Sequence, residues 1–459
     1  MSFTGVAVHS GNVKQGYAFV AIKGAKHNGE NYINDAIKNG ATHIIVAEDS
    51  AVTTVEGAEL VRVPKIREYL SEICAQAYPL QPESIVGITG TNGKTSTAFF
   101  YKQICTLNNF KSACIGTLGV ISDIGEFPHR DALTSPDAPE IHELLNKLAK
   151  SGIQRAALEV SSIGLHQHRL DHVRFKAVAF TNFTQDHLDY HGTMDDYYAA
   201  KARLFSEVID TKTTVVLNAD IPVYDKLAKI CADRGIRVYS YGHQGKEFRL
   251  ISNDSKMLTI DVMGRKYTTP YYLAADFQLH NTLCAVALAF CTGVQVDKAI
   301  YTLKDLHAAP GRMERIARYN GAQIFIDYAH TPDALEKALQ TLKKETTGKL
   351  ILVFGCGGDR DASKRVIMGA IAEKYADVVF VTDDNPRTEV AASIRKEIMA
   401  GCPKAREIFP RENAIAAAMN IISHNDILLV AGKGHENYQI IGDTKIHFSD
   451  YEQIIKHVN

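Results

Sequence analysis

The run Gly90-Thr91-Asn92-Gly93-Lys94-Thr95 has the residue types needed to hold a polyphosphate. Glycines let successive backbone N–H groups face one anion. A lysine directly after them reaches the outer phosphates, and the next threonine can offer its hydroxyl to Mg²⁺. The run follows an apolar stretch, Ile85–Thr89, and precedes a stretch predicted to be helical from Ser96, which is the setting such a loop requires. A strict Walker pattern wants glycine six positions before the lysine. Ile88 stands there and Gly87 is one residue early, so the loop is a GxxGK[ST] variant. The competing reading is a glycine-rich turn that binds nothing, and the strand–loop–helix setting disfavours it.

Further groups follow in the chain. Glu159 ends an apolar run, where an acid is costly unless paired, capping backbone or bound to a metal. His187 lies in Gln185-Asp186-His187; Mg²⁺ prefers oxygen, so a lone histidine there equally well orients a neighbour. Lys201 in Tyr198-Ala199-Ala200-Lys201 reads by itself as a solvated helix lysine. Arg365 and Arg387 follow apolar runs and suit a bidentate grip on a carboxylate, or else salt bridges to acids such as Asp359, Asp361, Asp383 and Asp384. Gly432-Lys433-Gly434-His435-Glu436 is a flexible loop with one base and one acid, and it says little alone.

These motifs share a position. Short β-branched runs at Ile85–Thr89, Ala156–Val160, Val178–Asn182, Ile324–Asp327, Ile351–Gly355, Val378–Thr382 and Ile427–Ala431 alternate with amphipathic segments. That pattern predicts parallel strands buried on both faces, hence an α/β protein. Ligands of such sheets bind beyond the carboxyl ends of the strands, where the polar motifs stand. Thr331-Pro332-Asp333 marks a helix start: cap, proline at the first position, acid in the first turn. Breaks at Gln81-Pro82-Glu83 and Ala309-Pro310-Gly311 divide the chain into residues 1–83, 84–310 and 311–459.

Composition narrows the function classes. With 459 residues, 46 % hydrophobic and 22 % charged, the chain has an ordinary globular composition and room for several cores. A formal net charge of −1 gives no reason to expect nucleic acid or an anionic membrane as partner. The eight cysteines show no CxxC spacing and read as core residues of a reducing compartment. No basic segment followed by an apolar run opens the chain, and no stretch reaches the ~18 apolar residues of a membrane span. The expectation is a cytoplasmic protein, by default a monomer.

Taken together, TGTNGKT at 89–95, LEVSS at 158–162, Gln167-His168-Arg169, DHLDYHG at 186–192 with Lys201, Asn281, GRME at 311–314, DYAHTPDALEKAL at 327–339, FGCGGDRD at 354–361, DDNPRTE at 383–389 and AGKGHE at 431–436 resemble the Mur ligases. These enzymes build the peptidoglycan stem peptide, and the MurE type is the nearest match. The ordered set spans nearly the whole chain. The resemblance implies a UDP-substrate-binding domain in a short form (1–83), a central P-loop-type parallel-sheet ATPase domain (84–310) and a C-terminal Rossmann-like amino-acid-binding domain (311–459). It implies that Gly90, Thr91, Asn92, Gly93, Lys94, Thr95, Asn281, Arg312, Asp327 and His330 hold ATP. Thr95, Glu159, His187 and Lys201 would serve Mg²⁺, with Lys201 carrying a CO₂-derived carbamate; Lys94, Glu159, His187 and Lys201 would be catalytic. Ser10, Asn92, Thr134, Ser135, Ser161, Gln167 and Arg169 would contact UDP-MurNAc-L-Ala-D-Glu. Arg365, Asp384, Asn385, Pro386, Arg387, Gly432 and Glu436 would bind the incoming amino acid.

The tetrad Asp384-Asn385-Pro386-Arg387 resembles the form found in enzymes that add meso-diaminopimelate. An arginine pairs with the second carboxylate of that substrate and would repel the ammonium of L-lysine. The chain departs from the family at its beginning. Where the family has Asp-Ser-Arg, it reads His9-Ser10-Gly11, and the later Asp-Gly is Asn28-Gly29. The alternatives are a lysine-adding ligase, a folylpolyglutamate-synthetase-like ligase, or a nucleotide-binding regulator without catalysis.

Overall fold

The computed structural model describes residues 3–24, 27–127, 133–254 and 256–458. All seven apolar runs form strands with at least one parallel neighbour. They divide between two of three larger sheets. A four-stranded parallel sheet (Gly5–Ala7, Tyr17–Val20, Ala41–Ala47, Glu59–Val63) precedes them in the chain.

The central sheet has ten strands. Across it the order is Arg265–Pro270, Met257–Val262, Phe248–Asp254, Val238–Gly242, Thr214–Asn218, Phe175–Phe180, Ser84–Thr89, Arg155–Glu159, Ser112–Gly116 and Gly119–Ser122. The expectation of a wholly parallel sheet is corrected here. Both edges are antiparallel, made by the hairpins that join Met257–Val262 to its neighbours and by Ser112–Gly116 with Gly119–Ser122. The physical reason lies in coverage. Phe248–Asp254 alternates between buried and exposed residues over its first four positions, and Arg265–Pro270 buries only Thr269, so these edge strands remain partly wet, as antiparallel strands tolerate. A two-residue turn, Met263-Gly264, closes one hairpin with both φ positive (51° and 86°), the hand that matches strand twist.

The third sheet runs Glu314–Tyr319, Ala322–Asp327, Ile427–Ala431, Leu350–Phe354, Val378–Val381 and Arg406–Glu407. Its first pair is antiparallel and the rest parallel, so it too is mixed. The chain thus has a three-sheet α/β architecture. Among the described residues no helix is long and apolar enough to cross a membrane. Every cysteine but Cys291 is buried.

Two helices position the glycine-rich loop. Lys94–Leu107 starts two residues earlier than expected, because Gly93 at φ 85° turns the chain straight into it. Asp276–Cys291 packs against it and is apolar almost all round, with Leu279, Leu283 and Val286 in the core. The helix Pro332–Glu345 begins as its sequence predicts, with Thr331 Oγ1 accepting from the Ala334 N–H.

At the carboxyl end of the third sheet, Arg411 and Asp450 form a fully buried, doubly hydrogen-bonded pair, both contacts 2.7 Å. Arg411 also donates to the carbonyls of Ala431 (3.0 Å) and Asp383 (3.3 Å), so one guanidinium ties two strand ends to the final helix, Asp450–Val458. Truncating Asp450 strands that charge in a dry interior. Asp450→Ala is expected to lower the stability of the C-terminal unit by about 3–5 kcal/mol, read as an earlier transition in denaturant unfolding.

Candidate active site

The loop is built around Gly90, at φ 143°. A Cβ there would lie 2.0 Å from Thr181 Oγ1, and one on Gly93 would lie 2.4 Å from Asn281 Oδ1. Only glycine fits either place. The neighbouring strand supplies the frame. Asn182 accepts the Asn92 N–H through its side chain (2.8 Å) and the Thr91 N–H through its carbonyl (2.9 Å).

Two lysines converge on one oxygen of this loop. Lys94 Nζ donates to the Gly90 carbonyl at 2.9 Å and Lys201 Nζ donates to the same carbonyl at 2.8 Å. Lys201 is 1 % exposed, which overturns the solvated-helix reading. Burial first, then the neighbouring charge of Lys94, push its pKa well below the usual lysine value. Tyr197, one helical turn earlier on Met194–Arg203, places its ring 4.6 Å beneath Lys201 Nζ and its hydroxyl 3.2 Å from Thr91 Oγ1. The helix then widens into a π turn over Leu204–Val208.

Glu159 is 3 % exposed. Its carboxylate accepts from Thr95 Oγ1 (2.9 Å), from the Thr117 N–H (2.9 Å) and from Thr117 Oγ1 (3.2 Å). It therefore caps backbone, as one sequence reading expects, and it also faces the glycine-rich loop. His187 stands at left-handed φ (54°), exposed, 3.5 Å from Asp186. Among the described residues it bonds to neither Glu159 nor Thr95, and no group of three His, Cys, Asp or Glu side chains is gathered as a metal cage.

The third sheet reaches over this loop. Arg312 Nη2 donates to Thr95 Oγ1 at 3.2 Å, its guanidinium lies 4.4 Å over the Tyr328 ring, and its Nε is buried without a partner. Asn281 is held by Gln278 (3.0 Å), and Gln278 donates to the Arg312 carbonyl (3.2 Å). Asp327 accepts the Met313 N–H at 2.6 Å and so fixes the turn bearing Arg312. Burial outweighs Arg312 and pushes Asp327 up to about 6. His330 is bonded to the Tyr328 carbonyl (2.8 Å) and is drawn down to about 4 by burial, so it is neutral at physiological pH.

A second polar cluster borders the first sheet. Ser135 Oγ donates to the Glu159 carbonyl and accepts the Ser161 N–H, each at 2.9 Å. Arg169 donates to the Ser135 carbonyl (2.8 Å) and to Gln167 (2.8 Å), and Thr134 meets Thr117 at 3.1 Å. Ser10 is not part of this cluster. It lies buried in the first sheet's periphery, its carbonyl accepting from Asn39. A cavity of about 580 Å³ opens between the two units instead, lined by Lys23, Lys65, Arg67, His166 and His168 among others. Asn28 Oδ1 still caps the Glu30 N–H (3.1 Å), the bond an aspartate would make.

In the third sheet, Asp384-Asn385-Pro386-Arg387 meets Gly432–Glu436. Asn385 Nδ2 donates to Glu436 Oε2 (2.9 Å), and Arg387, at φ 52°, donates to the Gly358 carbonyl (2.6 Å). The Pro386 carbonyl faces Gly358, and Gly432 faces Asp384. Arg365 is not presented as a free cation. It is 1 % exposed and held by Glu389 (2.8 Å) and Glu397 (3.0 Å), acids other than those its sequence neighbourhood suggested.

Family comparisons match three successive segments of the chain. Residues 2–78 match the family described as Mur ligase family, catalytic domain, residues 88–289 the Mur ligase middle domain, and residues 311–434 the Mur ligase, glutamate ligase domain. UDP-N-acetylmuramoyl-L-alanyl-D-glutamate--2,6-diaminopimelate ligase of Agrobacterium fabrum is 42 % identical over 98 % of this chain and 92 % of its own length. The chain belongs to the Mur ligase family. A solved structure of a ligase of the same name superposes with TM-score 0.69 at 30 % identity, covering all of this chain and 95 % of that one. A folylpolyglutamate synthase from Mycobacterium tuberculosis, in complex with ADP and AMPPCP, shares the fold alone: 19 % identity over 80 % of this chain, TM-score 0.66.

As a Mur ligase the chain is an ATP-dependent acid–amino-acid ligase of the MurE type. Sequence reading did not single out Tyr197, Thr117 or Arg67, and it named Lys433 only as the base of its loop. Tyr197 had one available signal, its i, i+4 spacing to Lys201. The nucleotide-side turn gives a pH prediction. As pH falls through about 6, Asp327 takes up a proton and loses its charge toward Arg312 and the Met313 N–H. ATP affinity is expected to weaken several-fold between pH 7 and pH 5. Asp327→Asn is expected to be weak but flat over that range, as measured by nucleotide titration.

Proposed function

We propose that this protein joins meso-diaminopimelate to UDP-MurNAc-L-Ala-D-Glu with cleavage of ATP to ADP and phosphate, in the cytoplasm and as a monomer. The observation that carries this reading is the 42 % identity, over nearly the full length, to ligases named for that reaction. The tetrad ending in Arg387 supports the diaminopimelate choice. We assign residues 1–83 to the UDP substrate, 84–310 to ATP on a P-loop-type sheet, and 311–459 to the amino acid on a Rossmann-like sheet.

The residues present fit the groups the reaction requires. Gly90 and Gly93 leave a concave backbone that no side chain can occupy. Arg312, with Nε unpartnered, lies beside Thr95 as a donor for a phosphate. Thr95 and Glu159 offer hard oxygen donors for Mg²⁺, which when bound neutralises charge developing on the phosphates. Asn281, Asp327 and His330 then line the nucleotide, and His187 and Lys201 complete the metal side.

In the first step the γ-carboxylate of D-Glu attacks the γ-phosphorus and ADP leaves, giving an acyl phosphate. Lys94 follows the negative charge, and the loop backbone holds the phosphates in line, so catalysis is positioning and charge neutralisation. In the second step the amine of diaminopimelate attacks the acyl carbon. The tetrahedral intermediate expels phosphate and loses a proton, leaving the amide. Ser135, Ser161, Gln167 and Arg169 hold the UDP-muramoyl-dipeptide beside Glu159. Asn385, Arg387, Gly432 and Glu436 hold the incoming amino acid, with Asp384 and Pro386 shaping their loop.

Lys201 supplies the remaining element. Burial disfavours its ammonium form, and the free amine can combine with CO₂ and release a proton, giving a carbamate anion. That anion suits the cations of the loop where an ammonium would oppose them.

Two outcomes follow. ADP release with UDP-MurNAc-L-Ala-D-Glu is expected with meso-diaminopimelate and at least about 100-fold less with L-lysine. Preference for lysine would overturn the Arg387 assignment, and turnover with neither would overturn the reading in favour of a folate-type ligase or a regulator. Lys201→Met is expected to lower kcat by about 100-fold or more while ATP titration changes little. A variant with full kcat would remove Lys201 from catalysis.

A further inference from the structure

Tyr190 has no part in the mechanism above, yet its side chain stands against a residue of the substrate side. It is 39 % exposed and lies on the short helix Leu188–His191, directly after His187. Its hydroxyl accepts from Gln167 Nε2 at 3.0 Å and lies 3.0 Å from His166 Nδ1, to which it can give its own proton. The other end of the same amide faces two arginines. Gln167 Oε1 accepts from Arg169 Nη2 at 2.8 Å and from Arg67 Nη1 at 3.5 Å. An arginine only donates, so the amide oxygen must face this pair and the amide nitrogen must face Tyr190. One N–H of Gln167 is then left without an acceptor among the described residues.

The arginines have further ties of their own. Arg169 also donates to the Ser135 carbonyl (2.8 Å) and pairs with Asp137 (2.8 Å), and Arg67 comes from the helix Ile66–Ala77 that follows the first sheet. They decide which end of the Gln167 amide is which. The last torsion of a glutamine is soft, so the amide needs a second fixed point, and the Tyr190 hydroxyl supplies it. The Tyr190 ring is held in turn. It meets His191 edge-on with centroids 4.8 Å apart and His166 at 5.6 Å. His191 packs on Tyr197 at 5.3 Å, and its Nε2 lies 3.0 Å from Ser162 Oγ. Tyr197 is the ring beneath Lys201, with its hydroxyl on Thr91. One run of rings therefore leads from the Gln167 amide to the glycine-rich loop.

We infer that Tyr190 is a positioning residue for the UDP-muramoyl-dipeptide: its hydroxyl locks the Gln167 amide so that the remaining N–H is presented to an acceptor oxygen of that substrate. The inference deepens the ligase reading above and rests on it. It gives the segment that carries His187 a second task, on the substrate side.

The test is steady-state kinetics of the full-length enzyme with ATP, meso-diaminopimelate and UDP-MurNAc-L-Ala-D-Glu, on the unaltered protein, Tyr190→Phe, Gln167→Ala and the double variant. Tyr190→Phe keeps the ring and removes one accepting oxygen at an exposed position, so the fold stays intact. Its KM for the UDP substrate is expected to rise about 3- to 10-fold. Its kcat and its KM for ATP and for meso-diaminopimelate should stay within about twofold. In the Gln167→Ala background the same change is expected to add less than about twofold, because the hydroxyl acts through that amide. An unchanged KM for the UDP substrate in Tyr190→Phe, equal rises for all three substrates, or an undiminished effect in the Gln167→Ala background would overturn the inference while leaving the ligase reading intact. Absence of turnover by the unaltered enzyme overturns the ligase reading and this inference with it.

Discussion

The carbonyl oxygen of Gly90 receives two lysines, Lys201 fully buried and Lys94 partly so, and the candidate active site is arranged around that fact. An α-amino acid with a side chain at position 90 would strike Thr181, so the carbonyl could not be turned into this position by another residue. Water is excluded from Lys201, so the cost of burying its charge is large and the neutral amine is favoured. Tyr197 ties the two elements together, with its ring under the amine and its hydroxyl on the loop. The helix bearing Lys201 and the loop bearing Lys94 are therefore one unit. A shift of either moves the phosphate-binding surface.

The same unit is braced from the third sheet. Asn92 Nδ2 donates to Asp333 Oδ2 (3.1 Å), and Arg312 reaches Thr95. These contacts hold residues of the third-sheet side against the glycine-rich loop. These bonds are polar and partly exposed, while Ala275, with Ala274 and Phe277, packs into the apolar core of the third sheet. The buried Arg411–Asp450 pair has the complementary task within the third sheet, fixing the strand ends that carry Asp383–Arg387 and Gly432–Glu436 to a rigid base.

Much of this was legible in the sequence because it depends on local pattern. Strands buried on both faces must be apolar throughout, so Ile85–Thr89 or Ile427–Ala431 could be read directly. Thr331-Pro332-Asp333 announced a helix start, and the strand–loop–helix order marked a loop at Gly90 and Gly93, both of which take positive φ in the fold. The edge hairpins were not read, because alternation over six or seven residues is a weaker signal than a continuous apolar run.

By itself the sequence determined the α/β class, the motifs at the strand ends and, through their order, the family. Only the tertiary structure decided what each charged side chain does, because that depends on partners distant in the chain. Lys201, 111 residues from Gly90, reads as a surface lysine until the fold removes its water. Arg365 reads as a carboxylate receptor until Glu389 and Glu397 close on it. Lys433 reads as a loop residue until Asn385, 48 positions away, shows it to be the buried centre of a polar network. Charge is written in the sequence; its solvation and its partners, which set its chemistry, exist only once the chain has folded. The glycine-rich loop shows both halves at once. Its backbone geometry followed from its own residues, and the two amines that make it a site came from elsewhere in the fold.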